Sequence, residues 1–120
     1  MSPDGSDGRS ATFAALLDAW NDGPTERFLE LISDDYVGHM LHLAGGERTA
    51  QEYPGWIRRY RATSPGVLFV VAEQSPVADR LWTRLEARLP DGRSAQGMNV
   101  SRFVGDLIAE EWAVWSPWLP

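Results

Sequence analysis

Apolar residues in the first third of the chain recur at helical spacing. Phe13, Leu16, Leu17 and Trp20 share one face, which predicts an amphipathic helix from Ser10, itself available as an N-cap. Asn21-Asp22-Gly23-Pro24 interrupts it. Phe28, Leu29 and Ile32 then mark a second, shorter helix, with Glu26 in the first turn where a carboxylate complements the dipole, and Ser33-Asp34-Asp35 ends it. Tyr36 to Leu43 reads as a strand or extended segment closed by Gly45-Gly46. Thr49 and Glu52 have the spacing of a capping box, but a helix starting there would enclose Pro54, whose missing N–H and ring clash are costly. The third helix is therefore expected from near Pro54. Trp56, Ile57 and Tyr60 share its face, Arg58, Arg59 and Arg61 form a solvated one, and Ser64-Pro65-Gly66 stops it.

From Val67 the period becomes that of strands: Val67 to Glu73, Leu81 to Leu89, Ala95 to Val104 and Leu107 to Trp115. Pro90-Asp91-Gly92 and Gly105-Asp106 are hairpin connectors, so the last three strands should form an antiparallel meander. Helices first and strands afterwards is an α+β pattern, with helices packed on one face of a curved, mainly antiparallel sheet. There is no internal repeat. A single domain is expected over residues 10–120, with the Asp/Gly/Ser/Pro-rich residues 1–9 a disordered tail.

Charge and residue usage narrow the chemistry. A formal net charge of -6 opposes binding to phosphate backbones, so no nucleic acid is expected as a partner. All 11 basic residues are Arg, which removes Schiff-base and lysine general-base chemistry. The absence of Cys removes thiol nucleophiles, disulfides and thiolate metal sites. No apolar stretch approaches the roughly 20 residues that span a bilayer, and residues 1–9 lack a signal-peptide pattern, so no membrane association and a cytoplasmic location are expected. Six Trp in 120 residues favour an aromatic-lined cavity or a dimer contact.

Trp20, Asp34-Asp35-Tyr36-Val37-Gly38-His39, the helix ending at Ser64-Pro65-Gly66, Arg84, the run Gly97 to Arg102 and Ile108-Ala109-Glu110-Glu111-Trp112 together resemble the SnoaL-like polyketide cyclases of the NTF2-like superfamily, over roughly residues 10 to 116. The resemblance implies a cone-shaped α+β barrel, with three helices inside a strongly bent sheet and a deep pocket at one end. It further implies intramolecular aldol chemistry without metal or organic cofactor, and a homodimer. Relatives on this fold catalyse other reactions, so the site must choose. Ser116 stands where the family has its catalytic aspartate, and Arg102 where it has a histidine.

A cofactor-free aldol cyclisation needs a base beside a carbonyl and a donor for the enolate. With no aspartate at position 116, His39 is the expected replacement, because the resemblance puts it at the pocket end of its segment; the alternative is a histidine capping local backbone. Arg102 is the expected electrophilic donor, or else an ion-pair partner of Glu110 or Glu86. Glu110, sharing strand parity with Trp112 and Ser116, is a third candidate, as a carboxylate whose pKa is raised by apolar walls or one facing solvent. Trp56, Tyr60, Trp82, Asn99, Trp112 and Ser116 are the expected substrate-binding residues, and Tyr36 and Tyr53 are further phenolic donors. Asn99 faces away from Arg102 in an unbroken strand, so only a bulge would bring both inside. His39 and His42 point to opposite sides of an extended segment, which argues against a metal pair. The tail Ser116-Pro117-Trp118-Leu119-Pro120 should fold over the pocket mouth or pack on a partner.

The leading functional expectation is a cyclase or isomerase acting by general acid–base catalysis on a small apolar, aromatic or polyketide-like molecule. An epoxide-opening cyclase or hydrolase on the same fold is the first alternative, marked by two polar groups opposed across the pocket. A non-catalytic ligand-binding accessory protein is the second.

Overall fold

The computed structural model describes residues 6–120. Helix α1 (Ser6–Asn21) is followed by a 3-10 turn (Thr25–Arg27) that runs into the short α2 (Phe28–Leu31), and α3 spans Tyr53–Thr63. The strands are β1 (Ile32–Met40), β2 (Glu47–Thr49), β3 (Leu68–Val77), β4 (Arg80–Arg88), β5 (Ser94–Val104) and β6 (Leu107–Trp115). They form one six-stranded sheet in the order β2-β1-β6-β5-β4-β3. The β3 to β6 portion is an antiparallel meander, while β1 enters parallel to β6. The sheet is mixed, curved around the three helices, and open: β2 and β3 remain as edges, so the cone does not close into a full barrel.

Helix α1 begins at Ser6, a full turn before the expected start at Ser10. Arg9 explains the extra turn from Gly8 onward, since its guanidinium donates to the carbonyls of Ala78 and Gly105, tying the helix to two hairpin turns. Of the tail expected to be disordered, residues 1–5 lie outside the described residues. Helix α3 starts at Tyr53 with Pro54 in its first turn, where the missing N–H costs nothing. The Glu52 carboxylate instead accepts from the backbone N–H and hydroxyl of Thr49 just before the helix. The short strand β2, lying between Gly46 and α3, was not expected; three residues carry too little periodicity to be read.

Strand alternation sorts the sheet into two faces. The inner face buries Phe69, Leu81, Leu85, Ala87, Phe103 and Ile108 against Phe13, Leu16, Phe28 and Ile57 of the helices. Trp20 is the hub, with ring edges meeting Tyr53, Trp56, Tyr60 and Phe69 at centroid distances of 5.6–5.8 Å. Arg58 and Arg61 of α3 are not idle. Arg58 pairs with Glu26 and Thr25, and Arg61 donates to the carbonyls of Ala19 and Gly23, so both fasten α3 to the α1–α2 connection.

Candidate active site

The packing between helices and sheet leaves a cavity of about 310 Å³, toward the small end for a ligand site. Its size follows from which side chains point inward. On β5 these are Ala95, Gly97, Asn99 and Ser101, and on β6 Ala109, Glu111 and Ala113, so the middle of the sheet presents small or polar groups where a filled core would need Leu or Phe. Phe13, Leu16, Leu17 and Trp20 of α1 form the facing wall, and Tyr53, Trp56 and Tyr60 of α3 flank it.

One wall closes against a glycine. Trp115 lies over Gly97, where an added Cβ would stand 2.6 Å from two of its ring atoms. At the mouth, Met40 comes from the end of β1, His42 and Leu43 from the β1–β2 connection, and Ser116 and Trp118 from the C-terminal segment. That segment folds over the pocket as expected. Ser116 and Leu119 bond the backbone of Gln96 and Ser94, so Trp118 is held across the opening.

The polar group at the heart of the cavity is Glu111. It is 5% exposed and accepts three hydrogen bonds: from the Tyr36 hydroxyl to Oε1 at 2.8 Å, and from Ser101 Oγ and Asn99 Nδ2 to Oε2 at 2.7 and 3.1 Å. Asn99 and Glu111 face the cavity, while Tyr36 and Ser101 hold the carboxylate from behind. Burial raises its pKa above the usual carboxylate range, and the bonds from Ser101, Tyr36 and Asn99 only partly oppose this. Among the described residues, no Arg lines the cavity. Tyr36 and Tyr53, beside Glu111, are both held as neutral phenols, first by burial and then by the Glu111 charge.

His39, Arg102 and Glu110 do come together, but on the outer face of the sheet and not in the cavity. His39 Nε2 lies 2.7 Å from Glu110 Oε2 and its Nδ1 3.1 Å from Glu47, while Arg102 donates to Glu110 at 3.3 Å. The ion-pair reading of Arg102 is therefore the one seen. Glu110 has its pKa lowered, chiefly by the His39 bond, the reverse of the expected direction. Trp112 stacks on His39 with centroids 5.6 Å apart and carries Arg80 at 5.1 Å, and Trp82 is exposed on the same face, so neither Trp reaches the cavity.

The physical reason is parity. β5 runs unbroken from Ser94 to Arg102 against β4, which puts Asn99 inside and Arg102 outside, and the register irregularity comes only after Arg102. It buries Ile108 and Ala109 together and leaves Glu111 inward and Glu110 outward. Trp56, Tyr60, Asn99 and Ser116 do line the cavity. His42 also lines it, on the opposite side of its segment from His39. Glu111 was missed as a site residue; the signal was the row of Ala and Gly that shares its face.

The family model described as a SnoaL-like domain matches residues 13–111. Among solved structures, IdmH of Streptomyces antibioticus, a proposed polyketide cyclase, is 28% identical, with 90% of this chain and 91% of that one covered and a TM-score of 0.77. A proposed polyketide cyclase of Bacillus cereus ATCC 10987 (13% identity, 97% and 79% covered, TM-score 0.83) and a proposed ketosteroid isomerase of Kribbella flavida DSM 17836 (14%, 97% and 83%, 0.78) share the fold. No curated protein matches the chain.

Proposed function

The chain belongs to the SnoaL-like domain family, and from that premise we propose that it is a cofactor-independent cyclase or isomerase whose proton-transfer group is Glu111. The substrate is a small, largely apolar molecule with an enolisable carbonyl, of the polyketide-like or aromatic kind. The observation that carries this reading is a buried carboxylate with no cationic partner among the described residues, facing an aromatic-walled cavity. Burial favours the neutral form of such a group and so strengthens it as a base toward a carbon acid.

The hydrogen bonds select which oxygen acts. A carboxylate offers about four acceptor positions. Oε2 takes two donors and Oε1 only that of Tyr36, so the open lone pair is on Oε1. Glu111 Oε1 removes the proton next to the carbonyl, and the enolate oxygen is met by a neutral donor, for which the Tyr53 phenol beside the cavity is suited. Trp20 and the apolar face of α1 keep water from the enolate.

The arrangement supports cyclase or isomerase chemistry over epoxide opening. Glu111 and Asn99 stand together on the sheet, and the wall of α1 across from them is Phe13, Leu16, Leu17 and Trp20. Two copies of the chain would associate through the outer sheet face, where Trp82, Met98 and Val114 are exposed. No helix among the described residues is long and apolar enough to cross a membrane.

The test is deuterium exchange at the carbon next to a ketone, followed by NMR over a panel of enolisable aromatic and polyketide-like ketones. Glu111→Gln should lower exchange and turnover by about 10²-fold or more. Equal rates in both proteins would remove Glu111 from the mechanism, and tight binding without exchange in the parent would favour the accessory role.

A further inference from the structure

The C-terminal segment pairs with β5 in two places that do not share a register. Trp115 lies opposite Gly97 in the β5–β6 ladder, so an unbroken ladder would set Trp118 opposite Ser94. The residue found opposite Ser94 is Leu119. One extra residue therefore lies between Trp115 and Leu119, in the stretch that holds Pro117, which has no N–H to give a ladder. The consequence is a change of face. Ser94 precedes the inward-facing Ala95, so Ser94 and its partner Leu119 face outward, and Leu119 is 47% exposed. Trp118, next to Leu119, is thereby turned inward over the cavity, where unbroken alternation from Trp112 would have left it outside.

The two attachments differ in kind. The Ser116 N–H bonds the Gln96 carbonyl at 2.8 Å, but the Gln96 N–H goes to the Ser116 hydroxyl at 2.9 Å in place of the Ser116 carbonyl, because the backbone leaves the ladder there. Ser116 is thus a pivot. At the far end Ser94 and Leu119 exchange both backbone bonds, at 3.0 and 2.7 Å, which makes a latch. Between pivot and latch, the one further bond among the described residues runs from the Ser116 hydroxyl to the Pro117 carbonyl, within the segment itself. The other walls of the mouth are tied more firmly. On the β1–β2 side, the Leu41 N–H bonds the Ala113 carbonyl at 2.8 Å, the Met40 N–H bonds the Gly46 carbonyl at 2.9 Å, and Arg48 donates to the carbonyls of Gly45 and Glu47. Helix α3 is fastened through Arg58 and Arg61.

The geometry points to Ser116–Leu119 as a flap through which ligands enter and leave the cavity, with Trp118 as the residue that closes over them. The flap swings about Ser116 when the Ser94–Leu119 latch opens, and the ligand passes between Trp118 and the β1–β2 lip. Opening breaks two backbone bonds at an exposed edge, where the freed groups turn to water, and such local openings lie at the low end of a fold's stability. The extra residue is what makes this work, since it puts an indole on the inner side of a segment that is otherwise held from the outside. The inference concerns the path of any ligand and stands whether or not Glu111 is the base.

The chain has no Cys, so a cross-link can be placed at the latch alone. A hydrogen-bonded antiparallel pair has Cα atoms about 5.5 Å apart, within disulfide range, and Ser94→Cys with Leu119→Cys alters two side chains that face away from the core. The probe is 2-naphthol, a neutral two-ring molecule, with binding to the full-length protein followed by stopped-flow quenching of tryptophan fluorescence. In the oxidised double variant, association and dissociation should both slow about 10-fold or more, with Kd changed by less than about threefold, and reduction should restore the parent rates. Trp118→Ala should speed dissociation about 10-fold or more with the latch intact. Parent rates in the oxidised protein would overturn the proposal, because the ligand would then enter elsewhere. Slowing that persists after reduction would also overturn it, because the lock would not be the cause. Unchanged dissociation in Trp118→Ala would remove Trp118 as the closing residue, and a parent protein that does not bind 2-naphthol would overturn the flap as an entrance to an apolar cavity. The effect of Glu111→Gln on deuterium exchange is read separately, so either reading can fail while the other stands.

Discussion

Tyr36 and Glu111 meet across a parallel strand pair, hydroxyl to Oε1 at 2.8 Å, although the register partner of Glu111 on β1 is Gly38. The phenol reaches the carboxylate by passing over the glycine. An added Cβ at Gly38 would stand 2.6 Å from the Tyr36 hydroxyl and 3.0 Å from the Tyr53 ring. Gly38 thus makes room for the two phenols that surround the buried acid.

Gly38→Ala should accordingly destabilise the fold by about 1–3 kcal/mol, the usual range for overpacking a filled site. Chemical denaturation would measure it. Ligand binding should weaken as well, because Tyr36 and Tyr53 must both shift.

Tyr36→Phe tests the hydrogen bond with the ring kept in place. Losing a donor to a buried carboxylate costs about 1.5–3 kcal/mol. Glu111 should then titrate at higher pH, since that bond lowers its pKa. The acidic limb of the exchange profile should move up in pH by comparison with the parent.

Glu111 also predicts how stability depends on pH. Its folded-state pKa is raised above the ordinary value of 4.5, so between those two values the folded chain holds a proton that the unfolded chain has lost. Its contribution therefore falls as pH rises through that window. Glu110 has the opposite sign: its pKa is lowered, so its contribution is present above 4.5 and fades as pH drops through the folded value. Stability curves from pH 3 to 8 should lose the first component in Glu111→Gln and the second in Glu110→Gln.

On the outer face, His39→Ala and Arg102→Ala should leave exchange and turnover unchanged within about twofold. Each removes partly exposed pairing to Glu110 and should cost about 1 kcal/mol or less. A large loss of activity in either variant, measured with the same ketone panel, would count against the cavity as the reaction site.

The wall at Gly97 bears on ligand size. Gly97→Ala would push the Trp115 ring off its seat and into the cavity. A series of ketones of increasing bulk should lose affinity from the largest member first, whereas Trp115→Ala should admit members that the parent excludes.

Much of the architecture was legible because it depends on local periodicity. The 3.6-residue spacing of Phe13, Leu16, Leu17 and Trp20, Pro54 as a helix start, and the Pro90-Asp91-Gly92 and Gly105-Asp106 turns each act over a few residues. The motif runs from Trp20 to Trp112 carried the family. The polar constellation was harder to read. Glu110 and Glu111 are adjacent and chemically identical, and alternation says only that they face opposite ways, not which way is in.

The amino-acid sequence by itself determined the helices-then-sheet order, the meander, the aromatic supply for a cavity and the exclusion of lysine and cysteine chemistry, since these follow from residue type and short-range pattern. Only the tertiary structure decided that Glu111 is inside and that His39, Arg102 and Glu110 share the outer face. The parallel pairing of β1 with β6 and the irregularity after Arg102 set that phase, and both depend on contacts between residues about 70 positions apart or on one extra residue in a strand pair. A one-residue change in phase reverses every side chain, which no local pattern can report.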